Sequence, residues 1–398
     1  MSDIPVKFSE EIDVISILDS SSSQVTLRNY DLSGLIIVSI TTPGLETLYK
    51  PLEYMEDFVN VSSSVSKNVK YDIFAVYDGH GGIDPKSRLK KGGHEVAKEC
   101  VNYLPAMIKE TLKSNNDIET ALVESFEKAD KEHFIKNFPE NVGSTATIVL
   151  RHNNTTLYVA NLGDSRAVIC DDGKVSFETE DCNWSNPKEQ ERIGISTKNS
   201  NYIIKTKDGE KKFIFNGKHL NGEKWNLSAS RSLGDYHFKL DSEKPPVLAR
   251  PKINKISISN NMKLILIASD GIWGNDIGME SEHFISKFIQ IARKQTSTDV
   301  DDCLKETCKE FVKWCIMDHL KLEFKNHGDN ASLIAIGLLN GQTKQQWFQD
   351  IQKWKGTYDN DDLILKDLVQ NDDDGDGDQE DSNYVSDSES CTIDFTQI

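Results

Sequence analysis

Ile73-Phe74-Ala75-Val76-Tyr77-Asp78-Gly79-His80-Gly81-Gly82 runs from an unbroken apolar stretch straight into a carboxylate, an imidazole and three glycines. A strand buried on both faces reads as such a continuous apolar run, and its end is where glycines let an ion or a substrate approach the backbone. An isolated Asp-Gly would mark only a tight polar turn. The pattern recurs, however. Leu264-Ile265-Leu266-Ile267-Ala268 leads into Ser269-Asp270-Gly271, and Asp329-Asn330 stands just before Leu333-Ile334-Ala335-Ile336. Three carboxylates at strand ends predict one shared site.

Around that centre the 398 residues, 37 % of them hydrophobic, are enough for one large domain or two ordinary ones. The seven cysteines form no CxxC pair, and Cys308 and Cys315, seven apart in a helical stretch, suit a packed face better than a metal. A reducing compartment follows, with cytoplasm or nucleus as the expected location. No apolar run approaches the length of a membrane span and no signal-like N-terminus is present, so neither membrane insertion nor secretion is expected. The net charge of −18 argues against nucleic acid as a partner. Most of it is local: residues 359–398 hold fourteen acids and one lysine, leaving −5 for the rest.

Residues 1–22 are polar and end in a serine run, a flexible lead. Apolar runs at 34–40, 73–77, 146–150, 156–160, 166–170 and 263–268 predict strands, and helical periodicity covers 94–113, 117–137, 280–294 and 301–325. The body, 23–340, is therefore mixed α and β. Thr156–Ala160 and Arg166–Cys170, joined through Gly163, predict an antiparallel hairpin, which disfavours a doubly wound parallel sheet. The plainer alternative for Gly163 to Arg166 is a hairpin turn whose Arg166 binds local backbone. Asn186-Pro187-Lys188-Glu189 predicts a helix start with Asn186 as cap and Glu189 closing a capping box. A short helical extension is expected over 341–356. From 357 onward apolar content collapses, so ordering the tail would cost more entropy than burial returns, and 357–398 is expected to be disordered.

Hard divalent cations take oxygen ligands and keep several waters. Glu56, Asp57, Asp78, Gly79, Asp270 and Asp329 offer such a set for Mg²⁺ or Mn²⁺, and two ions sharing a carboxylate suit phosphate hydrolysis. His80, beside them in sequence, suits proton delivery because imidazole titrates near neutrality.

At these residues the chain resembles the PPM family of metal-dependent serine/threonine protein phosphatases, the type 2C phosphatases. The motifs stand in the family's order: Met55-Glu56-Asp57, Phe74 to Gly82, Gly143-Ser144-Thr145-Ala146, Asn161-Leu162-Gly163-Asp164-Ser165-Arg166, Ser230-Arg231-Ser232-Leu233-Gly234-Asp235, Ala268 to Trp273, and Gly328-Asp329-Asn330-Ala331-Ser332. The resemblance covers roughly residues 33–338. It implies an α+β fold, a four-layer αββα sandwich of two antiparallel sheets flanked by helix pairs, with a metal cluster between the sheet ends. It further implies that Asp78 bridges two ions, Asp270 and Asp329 complete the first, the Gly79 carbonyl binds the second with Glu56 and Asp57 near it, and His80 is the general acid. Asp181 falls where the family helps bind a third, looser ion. The Gly143–Ala146 and Ser230-Arg231 stretches are read as structural support. Phosphorylated proteins are the implied partners, and a monomer is expected.

Two positions depart from the pattern. Leu52 stands where the family has an arginine that clamps substrate phosphate, with Lys50 nearby as a point charge. Gly274 stands where an aspartate holds the third ion, so that ion is expected to be weak or absent. A pseudophosphatase that binds phosphoproteins without turnover is the alternative reading, and a structural interaction protein working through its tail ranks below it. Asp372 to Gly377 partly mimics a calcium loop but has Asn383 where the bidentate glutamate belongs. Ser386 lies in an acidic context that a kinase could use. The basic stretch 83–92 is a solvated loop or a guide for acidic phosphopeptides.

Overall fold

The stretch that ends in Asp78 is buried on both faces, and this decides how the layers stack. In the computed structural model, which describes residues 25–47, 50–51, 55–66, 69–81, 92–115, 117–193, 202–207, 210–215, 226–240, 245–274, 279–323 and 329–358, it is the centre of strand β6 (Val69–Gly81). Side chains alternate across a strand. Tyr71, Ile73, Ala75 and Tyr77 pack with Val96, Cys100, Leu104 and Ile108 of α1 (Gly93–Ser114) and Phe126 of α2 (Ile118–Ala129). Phe74 and Val76 point the other way, into a second core with Leu35, Ile37, Ile169, Ile267 and Ile336. One strand thus serves two cores, which is why its sequence is apolar throughout. Each large side chain buried there contributes about 1.5–3 kcal/mol, and a charge at Val76 would disrupt the inter-sheet core.

Numbered in chain order, the first sheet runs β1 (Thr26–Tyr30), β2 (Leu35–Thr42), β18 (Ala331–Leu338), β17 (Met262–Ala268), β10 (Arg166–Asp171), β11 (Lys174–Glu178). The second runs β15 (Leu233–Gly234), β7 (Val142–Ser144), β6, β8 (Ala146–His152), β9 (Thr156–Leu162), β16 (Lys252–Ser257), with β5 (Asp57–Ser66) also on β6. Every pairing in both is antiparallel. Smaller elements are the β3–β4 pair (Leu45–Thr47, Lys50–Pro51) and a sheet of β12 (Tyr202–Lys207), β13 (Glu210–Phe215) and β14 (Asn226–Leu227). Helices α1 and α2 cover the second sheet. Helix α6 (Val300–Glu323) packs on β2 and β18 of the first, α5 (Ser281–Lys294) packs on β11, and both contact α7 (Lys344–Lys353). The α+β sandwich read from the sequence is the observed architecture. No helix among the described residues is long and apolar enough to cross a membrane.

Three local expectations are corrected. The hairpin does not form: β9 pairs with β8 and β16, whereas β10 pairs with β11 and β17. Both strands are buried on both faces, so each sits inside its own sheet, and Gly163 at φ +111° turns the chain between layers. Its carbonyl accepts from Cys182 N–H (2.8 Å), and Ser165 O accepts from Thr147 Oγ1 (2.9 Å). At α3 (Pro187–Ile193) the Asn186 carboxamide does cap, accepting from Lys188 N–H at 3.0 Å. Glu189 closes no capping box; its carboxylate turns inward to Arg231 and Arg192, because charge-assisted bonds outweigh one bond to a backbone N–H.

The packed chain also extends past residue 356. After α7, which opens with a Thr343–Gln346 capping box, residues 354–358 run back along α5. Arg293 donates to the Trp354 carbonyl, Tyr358 N–H donates to Ser286 Oγ (3.1 Å), and the Tyr358 ring stacks on His283 at 3.7 Å. Gly356 passes so close that a Cβ would lie 2.6 Å from Ser286 Oγ. The compact unit ends at Asp359. Composition could not show this, since one glycine and one tyrosine carry the packing. The N-terminal lead, most of the basic loop (83–91), Leu52 and the acidic segment from 359 lie outside the described residues.

Candidate active site

Strand pairing brings the first carboxylates together. Asp57 opens β5 opposite Asp78 on β6, and Gly79 N–H donates to the Glu56 carbonyl at 3.1 Å. From the other sheet, β17 ends at Ala268 and α4 (Asp270–Trp273) begins at once, so Ser269 and Asp270 face the same strand ends. Ser269 Oγ donates to Asp57 Oδ2 at 2.6 Å and accepts from Ser332 N–H at 3.0 Å, tying β17, β18 and β5. The Asn330 carboxamide accepts from Glu56 N–H and donates to the Pro43 carbonyl (2.8 Å), which fixes the turn carrying Asp329. Sequence positions 56, 57, 78, 270 and 329 therefore meet at one end of the sandwich.

Their crowding is visible in their ionisation. Burial, followed by Asp57, Asp270 and Asp329, pushes Asp78 well above the ordinary carboxylate range. Asp270 is raised likewise by burial and by Asp329 and Asp164, and Asp78 shares a carboxyl–carboxyl hydrogen bond with it. Burial and Asp329 raise Asp57 to about 7 against the bond from Ser269, and burial with Asp329 and Asp57 raises Glu56 to about 7 against His80. Like charges held this closely prefer a shared proton or a cation.

The set fits a hard divalent cation. All donors are oxygens, and Asp57 Oδ1 is buried with no hydrogen-bond partner. The carboxylates are neighbours rather than a closed cage: among the described residues no three His, Cys, Asp or Glu side chains converge in ligating geometry. Asp181 has a partner of its own. Its carboxylate is held by Arg166 through Nε (3.1 Å) and Nη2 (2.8 Å). Arg166 thus engages side chains across the fold rather than local backbone, and with Gly274 supplying no carboxylate the residues present do not fit a third ion.

His80 continues β6 beside the cluster. Its Nε2 lies 2.7 Å from Asp235 Oδ2. Burial pulls the imidazole down, but Asp235, Asp164 and Glu56 outweigh it, and the net shift is upward. Asp235 is 1 % exposed and held by Ser232 Oγ and by its own N–H to the Val142 carbonyl (2.8 Å). Two glycines make the pair possible. A Cβ on Gly143 would lie 2.1 Å from Asp235 Oδ2 and 2.7 Å from His80 Nε2, and a Cβ on Gly93 would lie 1.9 Å from His80 N. Ser230 and Arg231 are structural, both bonded to the Glu189 carboxylate, Arg231 at 2.8 Å. Asp235 and Asp164 reach the site itself, which sequence reasoning missed. Asp235 lay inside a quoted motif, but nothing in the sequence pairs it with a histidine 155 positions away.

Comparison with known proteins places the chain in a family. The family model of protein phosphatase 2C matches residues 49–321. The chain belongs to the protein phosphatase 2C family. Protein phosphatase 2C homolog 3 of Schizosaccharomyces pombe is 29 % identical over 289 residues, covering 70 % of this chain and 59 % of that protein. Protein phosphatase 2C homolog 2 of Aspergillus fumigatus is 30 % identical over 288 residues, covering 70 % and 58 %. This protein phosphatase 2C family member thus spans about three fifths of the length of these relatives. Among solved structures, a serine-threonine phosphatase 2C from Toxoplasma gondii superposes with a TM-score of 0.55 at 14 % identity, covering 79 % of this chain and 98 % of that one. A Caenorhabditis elegans sex determining protein superposes at 0.58 with 19 % identity, covering 81 % and 69 %. Both likenesses concern the fold.

Proposed function

We propose that this chain is a metal-dependent serine/threonine protein phosphatase acting on phosphorylated proteins. The observation that supports it most directly is the meeting of Glu56, Asp57, Asp78, Asp270 and Asp329 beside the His80–Asp235 pair. Asp78, with Asp270 and Asp329 on one side and Glu56, Asp57 and the Gly79 carbonyl on the other, would hold two Mg²⁺ or Mn²⁺ ions. When bound, these supply an activated water and neutralise phosphoryl charge.

The chain's own residues do the rest. Asp235 orients the imidazole through Nε2 and, with Asp164 and Glu56, favours its protonated form against burial, leaving Nδ1 to deliver the proton to the departing serine or threonine oxygen. The test is hydrolysis of phosphoserine and phosphothreonine peptides with and without added Mg²⁺ or Mn²⁺. Turnover is expected only with the ion, and Asp78→Ala is expected to abolish it. Binding of phosphopeptide without turnover at any metal concentration would favour a pseudophosphatase instead.

A further inference from the structure

Arg166 is bound by side chains from three parts of the fold, and the two-ion reading gives it no part. It opens β10 with its side chain 17 % exposed. Its guanidinium forks onto Asp181, whose side chain is 14 % exposed, and Nη1 donates to Ser281 Oγ at 3.0 Å. The same plane lies over the Trp273 ring, 5.6 Å from its centroid. Ser281 is the first residue of α5 and in turn donates to Glu178 on β11. Asp181 is fixed from behind as well, its carbonyl accepting from Asn186 Nδ2 at 2.8 Å. Arg166, Asp181, Ser281, Glu178 and Glu280 line one face of a cavity of about 610 Å³.

Such a fork is geometrically matched to a carboxylate and, when largely desolvated, is stronger than a neutral hydrogen bond. It uses both oxygens of Asp181, the atoms a metal would need. Trp273, under the guanidinium, is followed by Gly274, which turns left-handed (φ +57°) with its N–H on the Asp270 carbonyl at 2.7 Å. Position 274 therefore offers no carboxylate to a third ion, and both oxygens of Asp181 are taken by Arg166.

We propose that the Arg166 guanidinium stands where a third divalent cation would otherwise sit. It is a permanent positive charge that joins the Asp181 loop to α5 through Ser281, so this wall of the cleft is set without metal and the chain binds two ions rather than three. The inference rests on the two-ion reading above. Its consequence is a positioning role for Arg166 that metal concentration does not modulate.

Counting Mn²⁺ per full-length chain, by calorimetric titration and by the loss of the free-ion paramagnetic signal, separates the possibilities. Wild type and Asp181→Asn are both expected to bind two ions. Arg166→Met combined with Gly274→Asp frees one carboxylate and restores the other, and is expected to gain a third ion. Aspartate is among the residues that tolerate a left-handed backbone. Adding Asp181→Asn to that pair should return the count to two. A third ion in wild type that Asp181→Asn removes would overturn the proposal, as would a folded double variant that still binds only two. If the double variant fails to fold, the comparison of wild type with Asp181→Asn still decides. A count of zero in every protein would instead sink the metal-dependent reading, and this inference with it.

Discussion

Replacing Glu189 by glutamine tests whether an ion-pair hub behind the site holds the site in place. The Glu189 side chain is 2 % exposed and meets Arg231 Nη2 at 2.8 Å, Arg192 Nε at 3.1 Å and Lys252 Nζ at 3.4 Å. Ser230 Oγ donates to it as well, at 3.1 Å. Burial pushes the carboxyl up, but Arg231, Arg192 and Lys252 outweigh it and bring it from the ordinary 4.5 down to about 2. At about 1.4 kcal/mol per pH unit, that depression has a ceiling of about 3.5 kcal/mol. Arg192 returns part of it, since burial lowers its own guanidinium. Glu189→Gln is therefore expected to cost about 2–3 kcal/mol at pH 7. A depressed acid stabilises the fold above its unfolded pKa and loses that contribution as pH falls through its folded one. The gap between wild type and variant should thus be full above about pH 5 and shrink steadily toward pH 2. Urea unfolding at pH 7, 5, 4 and 3 measures it through the shift of the midpoint at constant slope. Because Ser230 and Arg231 lead directly into Asp235, the variant should also lose kcat more than it gains in KM. A variant within about 0.5 kcal/mol of wild type at pH 7, or a gap that does not narrow below pH 4, would refute the reasoning.

Gly143→Ala places a methyl group against both members of the His80–Asp235 pair. Phosphopeptide turnover should fall on the order of 10²–10⁴ while the Mn²⁺ count is unchanged, and near-normal kcat would show that the pair is not used. Glu56 and Asp57, raised to about 7 from 4.5 and 3.8, are acids that fold more readily when protonated, so the metal-free protein should lose stability as pH rises from about 4 through 7. Added Mn²⁺ should then raise the melting temperature more at pH 7.5 than at 5.5; equal shifts would remove these two carboxyls from the site. Removing 360–398, polar and acid-rich, should leave the melting temperature unchanged. Removing 354–398 also takes away Trp354, 7 % exposed, and the Tyr358–His283 stack, and should cost about 3–5 kcal/mol. Equal stability of the two truncated chains would mean that the segment along α5 contributes nothing.

Much was decided by the sequence alone. Continuous apolar runs of strand length, such as Ile73–Tyr77 and Leu264–Ala268, can be satisfied only by strands covered on both sides, so they announce a layered α+β body before any pairing is known. Helical periodicity placed α1, α5 and α6 to within a residue or two of their observed ends. The carboxylates at positions 56, 57, 78, 270 and 329 were legible because a charged residue at the end of a buried strand has few structural reasons to be there.

What only the tertiary structure decided is which distant groups meet. Whether Thr156–Leu162 and Arg166–Asp171 pair or part depends on which face each strand must bury, and a turn containing Gly163 permits either. His80 meets Asp235 because β15 lies against β7, and β7 against β6, with Gly143 leaving the gap. Asp181 is a metal ligand by its place in a motif but an ion-pair partner by its place beside Arg166. Short-range pattern records what each residue must bury, whereas the partner of a charge is chosen by the global packing that brings two side chains within about 3 Å, and no local preference encodes that distance.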